Sequence, residues 1–369
     1  MNFLSYVVPF LLVFTMVVFV HELGHYWIAR KNGVKIEIFS IGFGPEILGF
    51  TDRHQTRWRI SAIPLGGYVR MYGDADASST TAQKTTSVID EDSMRQHSLH
   101  HKSPWQKAAV AVAGPLSNII FSFIALFLVY SFKGLPTIPA SVSFVQPNSL
   151  ADHVGLLPGD KFIRFNQQPI ETFSDLLKKI QENIGKDVDI VVERHKENIK
   201  LHASFYTINK TNGKREIIKK LGIVPGTPTF EKIGVFESVK ESLQSTWSVS
   251  IGLLQALPGL FKDKESRQQL GGIMTMGEQA AQSYQAGFWN LLTFMALLSI
   301  NLGIINLLPI PMLDGGQIVI SVVEGVRGKE LSERFKEITL YFGIAIVASL
   351  MLLGMWNDIK RFIIDRFFQ

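Results

Sequence analysis

Four stretches of this 369-residue chain, residues 3–29, 108–132, 288–308 and 338–356, are apolar for long enough to cross about 30 Å of hydrocarbon as helices. With 46% hydrophobic residues, the chain reads as an α-helical polytopic membrane protein with four transmembrane helices. The even count puts both termini on one side. Arg30, Lys31 and Lys35 follow the first span, Lys102 and Lys107 precede the second, and Arg327, Lys329, Arg334 and Lys336 separate the third from the fourth. By the positive-inside rule these loops are cytoplasmic, and the long loop between the second and third spans is extracytoplasmic. Lys360, Arg361 and Arg366 run weakly against that trend. No Lys or Arg precedes the first span and no small-residue cleavage site follows it, so it reads as an anchor rather than a removable signal peptide. The net charge of +5 comes from scattered basic residues with no arginine-rich stripe, which excludes nucleic acid as a partner and fits a lipid bilayer.

Between and beside the spans the pattern changes. Residues 34–44 and 57–71 alternate apolar and polar side chains with glycine punctuation, which predicts a membrane-associated β-hairpin within a cytoplasmic loop, residues 34–72. Residues 73–103 are polar and read as a loop. His97, His100 and His101 there lack a carboxylate partner at helical spacing and read as solvated side chains, not as a metal cluster. Residues 137–228 suffice for one small soluble domain. Strands are expected at 143–145, 161–166, 188–194 and 199–205, with a short helix within 147–156 and a longer one at 173–182. That order, with Gly155-Leu156-Leu157-Pro158-Gly159-Asp160, resembles an extracytoplasmic PDZ (α+β) domain, which would either accept peptide tails as an added strand at its exposed sheet edge or act as a rigid spacer that limits access by its bulk. In the connecting segment 229–287, apolar residues recur at Val235, Val239, Leu243 and Trp247, the spacing of an amphipathic helix on the outer surface. Its short apolar length and internal Pro258 argue against a fifth span.

The chemistry sits at the inner end of the first span, in His21-Glu22-Leu23-Gly24-His25. HExxH on a helix places two imidazoles one turn apart on one face, with a carboxylate beside them able to act as a base. The motif alone is suggestive. A second feature comes at the inner end of the third span, where Asn301, Asn306 and Asp314 lie near membrane depth, and Pro309, Pro311, Gly315 and Gly316 break the helix around Asp314. The topology brings Asp314 to the side of His21 and His25. With no cysteine in the chain, a zinc ion must be held by His, Asp or Glu, and His21, His25 and Asp314 are the candidate ligands. Three protein ligands leave a fourth position open, as hydrolytic rather than structural zinc requires, and Glu22 is placed to move the proton of the attacking water.

The HELGH motif, GFGP at 42–45, PLGGYV at 64–69, AGPLSN at 113–118 and NLLPIPMLDGG at 306–316 together resemble the bacterial site-2 protease family, in the branch named for regulator-of-sigma-E protease. The likeness runs nearly end to end. It implies an intramembrane zinc metalloprotease of the bacterial inner membrane, cutting transmembrane segments of anti-sigma-factor or remnant-signal-peptide type in regulated intramembrane proteolysis. It implies Zn²⁺ on His21, His25 and Asp314, Glu22 as catalytic acid/base, Asn306 stabilising the oxyanion and Asn301 helping to hold substrate. Gly114, Pro115 and Asn118 match the second-span motif, whose expected role is close helix packing. The strand edge around Gly42, Gly44, Gly66 and Gly67 is the candidate substrate edge. The best-studied relatives carry two tandem PDZ domains, whereas this chain has room for one. The opposing expectation is a non-catalytic membrane adaptor that captures protein tails.

Overall fold

The computed structural model describes residues 4–73, 96–208, 215–217, 221–263, 267 and 270–364. Most of the polar loop expected at 73–103 therefore lies outside the described residues, as does Arg366. The chain divides into two compact units, Met1–Val129 with Phe236–Gln369, and Tyr130–Val235.

In the first unit, α1 (Leu4–Lys31) and α2 (Pro104–Phe132) are long and apolar enough to cross a membrane, as are two later helices, α7 (Phe288–Asn306) and α9 (Glu333–Ile359). The chain is thus a multi-pass membrane protein by its helices. Leu4, Val8, Leu12 and Met16 recur every four residues and are exposed, while Val13 and Val17 are buried, so α1 shows lipid one stripe and the bundle another. α2 and α9 begin four and five residues before the apolar stretches expected from sequence, because their first turns are polar and lie beyond the hydrocarbon-compatible run.

Between α1 and α2, β1 (Ile36–Thr51) and β2 (Arg57–Met71) form more than a hairpin. Residues 36–41 pair antiparallel with 67–71, residues 43–51 pair with 57–63, and residues 38–41 also lie against 57–60. Each long strand therefore bends into two, and residues 67–71 become an edge of the sheet. Gly42, with φ +87°, is where β1 turns: a Cβ there would lie 2.6 Å from the Ile63 carbonyl oxygen. Tyr26, Ala29, Ile36, Phe39, Met71 and Val110 form one buried cluster joining α1, the sheet and α2.

Pro258 does not end α5 (Val235–Lys262), which runs one turn past it. Its exposed face carries Phe236, Leu243 and Trp247, and its buried face Ser238, Ser242, Thr246 and Ser250. A helix not expected from sequence, α6 (Ile273–Gln285), packs Ala280 against Val13, Leu291 and Met295. Its start is fixed from α9: Asp358 accepts hydrogen bonds from the N–H groups of Gly272 and Met274 and from Thr275 Oγ1 at 3.0, 2.8 and 2.5 Å. A carboxylate at a helix N-terminus satisfies otherwise unpaired donors and complements the helix dipole.

The second unit is built from β3 (Leu135–Thr137), β4 (Val142–Val145), α3 (Leu150–Val154), β5 (Lys161–Phe165), β6 (Gln168–Pro169), α4 (Phe173–Glu182), β7 (Asp187–Arg194) and β8 (Glu197–Ser204). Four short strands follow: β9 (Tyr206–Ile208), β10 (Arg215–Ile217), β11 (Ile223–Pro225) and β12 (Thr229–Glu231). The main sheet has the order β6-β5-β7-β8, and β11 pairs with β4. Phe162, Phe165, Leu176, Ile190, Val192 and Phe205 are the centre of its core. A capping box between Thr172 and Asp175 starts α4.

Candidate metal centre

His21 and His25 lie one turn apart in the C-terminal half of α1, and both Nε2 atoms face the same point, 3.2 Å from each other. The facing carboxylate comes from the other end of the sequence. α7 stops at Asn306, the chain turns through residues 307–313, and α8 (Asp314–Arg327) begins with Asp314 in its first turn. The turn is tight enough that a Cβ on Gly315 would lie 2.2 Å from the Leu308 carbonyl oxygen, and one on Gly316 2.3 Å from that of Ile310. Asp314 Oδ2 is 3.1 Å from His21 Nε2 and Oδ1 is 3.5 Å from His25 Nε2.

These three side chains offer ligand atoms within 4.8 Å of one another. Asp314 Oδ2 is buried without a hydrogen-bond donor. Two imidazoles and a carboxylate with lone pairs converging on one point, in a half-buried pocket, form the donor set that zinc takes, and a cation there would satisfy the orphaned oxygen. Glycine makes the room. A Cβ on Gly114 of α2 would lie 2.3 Å from His25 Nε2, and one on Gly24 would lie 2.3 Å from the Ala113 carbonyl oxygen, so α1 and α2 meet backbone to backbone behind the imidazoles.

Glu22 points to the sheet. A Cβ on Gly67 would lie 3.7 Å from Glu22 Cγ. Glu22, His25 and Asp314 line a cavity of about 760 Å³ with Val69, Gln317 and Lys336. Asn306 Nδ2 is 3.4 Å from His21 Nε2, so this amide reaches the cluster. Asn301 is half-buried five residues earlier, about 140° round α7 from Asn306 at 100° per residue, on a different face. Of the four glycines expected at the substrate edge, Gly67 lies beside Glu22. Gly42 and Gly66 serve the sheet's own turns, the latter at φ +100° with the Phe43 ring 2.8 Å from a built Cβ; Gly44 is exposed at φ +87°.

Sequence reasoning missed two contacts that α2 makes to the imidazoles. His25 Nδ1 is 2.8 Å from the Val110 carbonyl oxygen, and His21 Nδ1 is 3.2 Å from the side-chain amide of Asn118. A backbone carbonyl leaves no sequence signal. Asn118 did, being a polar residue inside an apolar span.

The model of Peptidase family M50 matches residues 9–350. A candidate zinc metalloprotease of Rhizobium meliloti (strain 1021) is 34% identical over 97% of both chains. Proteins given the same description in Brucella suis biovar 1 and in Campylobacter jejuni serotype O:2 are each 36% identical, over 96% and 95% of this chain and 94% and 92% of their own. With His21, His25 and Asp314 gathered beside one of the long apolar helices, and the likeness extending over nearly the whole chain, this protein belongs to Peptidase family M50, the site-2 protease family, and is a zinc metalloprotease.

Proposed function

We propose that the chain hydrolyses peptide bonds within or beside transmembrane segments of other membrane proteins, as the cut that releases a cytoplasmic fragment in regulated intramembrane proteolysis. Anti-sigma factors and remnant signal peptides are the substrate classes. The observation that carries this reading is the placement of Glu22 between the His21–His25–Asp314 cluster and the sheet edge at residues 67–71. A helical substrate hides its carbonyls in its own hydrogen bonds, so it must unwind to be cut, and an edge strand can hold it extended.

His21, His25 and Asp314 would hold the zinc, which when bound would supply Lewis-acid chemistry to a water and a scissile carbonyl. Glu22 takes the water proton and delivers it to the departing amine. Asn306 offers an amide N–H at the cluster, where the tetrahedral oxyanion develops. Asn301 and the glycines of the sheet position the substrate. The site faces the cytoplasmic side of the inner membrane, and residues 137–228 form an extracytoplasmic PDZ domain that receives trimmed tails. Support for the PDZ reading is the strand and helix order around β5 and α4, with β11 pairing β4. With the chain a zinc metalloprotease, the adaptor reading falls.

The test uses purified full-length protein and a model transmembrane substrate in liposomes. Glu22→Gln is expected to keep its zinc and lose cleavage by roughly 10²–10⁴-fold, the usual contribution of a general acid–base. Asp314→Asn is expected to lower zinc content itself. Undiminished cleavage by Glu22→Gln, or full zinc occupancy in Asp314→Asn, would remove those residues from their roles.

A further inference from the structure

The α2 helix holds a buried amide whose oxygen has no partner although a hydrogen-bond donor stands beside it. Asn118 is fully buried, and its Oδ1 meets no donor, while its Nδ2 is placed 3.2 Å from His21 Nδ1. That arrangement is chemically inconsistent with the rest of the site. His21 Nε2 faces His25 Nε2 and Asp314 Oδ2, so it must carry a lone pair to bind a cation, and a neutral imidazole then carries its proton on Nδ1. A donor would face a donor. The oxygen and nitrogen of an asparagine amide are assigned from the hydrogen-bond network, and a half-turn of the amide places Oδ1 against Nδ1–H. One rotation gives the orphaned oxygen a partner and fixes the imidazole in its ligating tautomer.

His25 already shows the same device. Its Nδ1 lies 2.8 Å from the Val110 carbonyl oxygen, an acceptor only, so the proton is on Nδ1 and Nε2 is free for the metal. Asn118 is also held in place independently of His21. Its main-chain carbonyl oxygen accepts from Ser299 Oγ of α7 at 3.0 Å and from Ser122 Oγ at 2.7 Å, while a Cβ on Gly303 would lie 3.3 Å from its Cβ. The backbone and Cβ of Asn118 are therefore held at the α2–α7 contact, which keeps its side chain beside the imidazole.

The geometry points to Asn118 as a positioning residue for the metal centre: its side-chain oxygen accepts Nδ1–H of His21, as the Val110 carbonyl does for His25, so that α2 sets the tautomer and orientation of both histidine ligands. This rests on the reading of His21 as a zinc ligand. Outer partners of this kind typically change metal affinity by 10–100-fold when removed.

Two variants of the full chain in detergent, titrated with zinc against a competing chelator, separate an acceptor from mere bulk. Asn118→Leu keeps the approximate volume and loses the acceptor, and is expected to weaken zinc by about 10–100-fold. Asn118→Asp keeps an acceptor and cannot donate, and is expected to stay within a few-fold of the unaltered protein. A measurement on the unaltered protein covers the case in which neither variant folds. In ¹⁵N-imidazole spectra of the zinc-loaded enzyme, His21 should carry its proton on Nδ1. Asn118→Leu binding zinc as tightly as the unaltered chain, Asn118→Asp weakened as much as Asn118→Leu, or a His21 proton on Nε2 would each overturn the assignment. A chain that takes up no zinc at all would instead overturn the metal-site reading beneath it.

Discussion

The two units differ in what they bury alongside their apolar cores. In the unit 130–235 the interior is apolar in the ordinary way, with Phe162, Phe165, Ile190 and Phe205 inaccessible to solvent and Asp160 the buried charge among them. In the membrane unit the buried set also includes His21, Ser40, Ser61, Asn118, Ser122 and Ser299, while Leu4, Leu12, Trp27, Ile120 and many others face outward. Lipid removes the advantage of hiding hydrocarbon, so helices there associate through small residues and hydrogen bonds. The same replacement should therefore act differently in the two halves: loss of apolar volume should matter most in one, and gain of volume or loss of a polar partner in the other.

The largest stability effect should come from the soluble-type core. Phe165→Ala empties a site at 0% exposure and is expected to cost about 3–5 kcal/mol of that unit's stability. Hydrogen exchange on the full chain should show lost protection confined to residues 130–235, with zinc content unchanged. Loss of zinc in this variant would break the separation between the halves.

Adding one methyl in the membrane half should do what removing a ring does in the other. Gly24→Ala places a Cβ 2.0 Å from Ser117 Oγ and 2.3 Å from the Ala113 carbonyl oxygen, and the second of these is backbone that cannot turn aside. Overpacking of this kind costs about 1–3 kcal/mol. Because α1 would be pushed off the helix that holds Val110 and Asn118, zinc affinity should fall with the melting temperature. A normal zinc affinity would show that the α1–α2 contact and the metal centre are independent.

How much of this was legible in the sequence follows from the same contrast. HELGH at the end of an apolar run and Asp314 between prolines and glycines could be read because ionisable groups at membrane depth are conspicuous. The elements of the unit 130–235 could be read because its strands and helices follow solvent-exposed periodicity: β5, α4 and β7 start and end within one residue of the positions expected from it, and β8 within two. The bend that turns two strands into a sheet edge at residues 67–71 could not, since it depends on Gly42 meeting a carbonyl from another segment. Nor could α6, whose Gly277, Ala280 and Ala281 pack well and score poorly as an apolar pattern. The role of Asn118 depends on where α2 crosses α1, which local pattern does not specify.

The smallest effect sharpens the comparison from the acid side. Asp160 is the buried carboxylate of the unit 130–235. Burial raises its pKa, but Arg194 donates to both of its oxygens at 2.7 Å and Leu157 N–H to one at 2.9 Å, and these hold it below the ordinary aspartate value. A carboxylate lowered in the folded state contributes stability that is complete above its unfolded pKa, about 3.9, and is lost as pH falls through the folded value. Asp175 in the capping box of α4 is lowered by hydrogen bonds from Thr172 and adds to the same slope. Protection of β5 and β7, corrected for intrinsic exchange, should therefore decline as pH drops below about 4. Asp160→Asn should be less stable at pH 7 and show a shallower decline, the remainder belonging to Asp175 and to Glu182, which the Lys179 ammonium likewise lowers. An Asp160→Asn chain with the full acid slope would mean that the Asp160–Arg194 pair does not set this unit's acid response, and that its polar interior matters as little as its apolar core suggests.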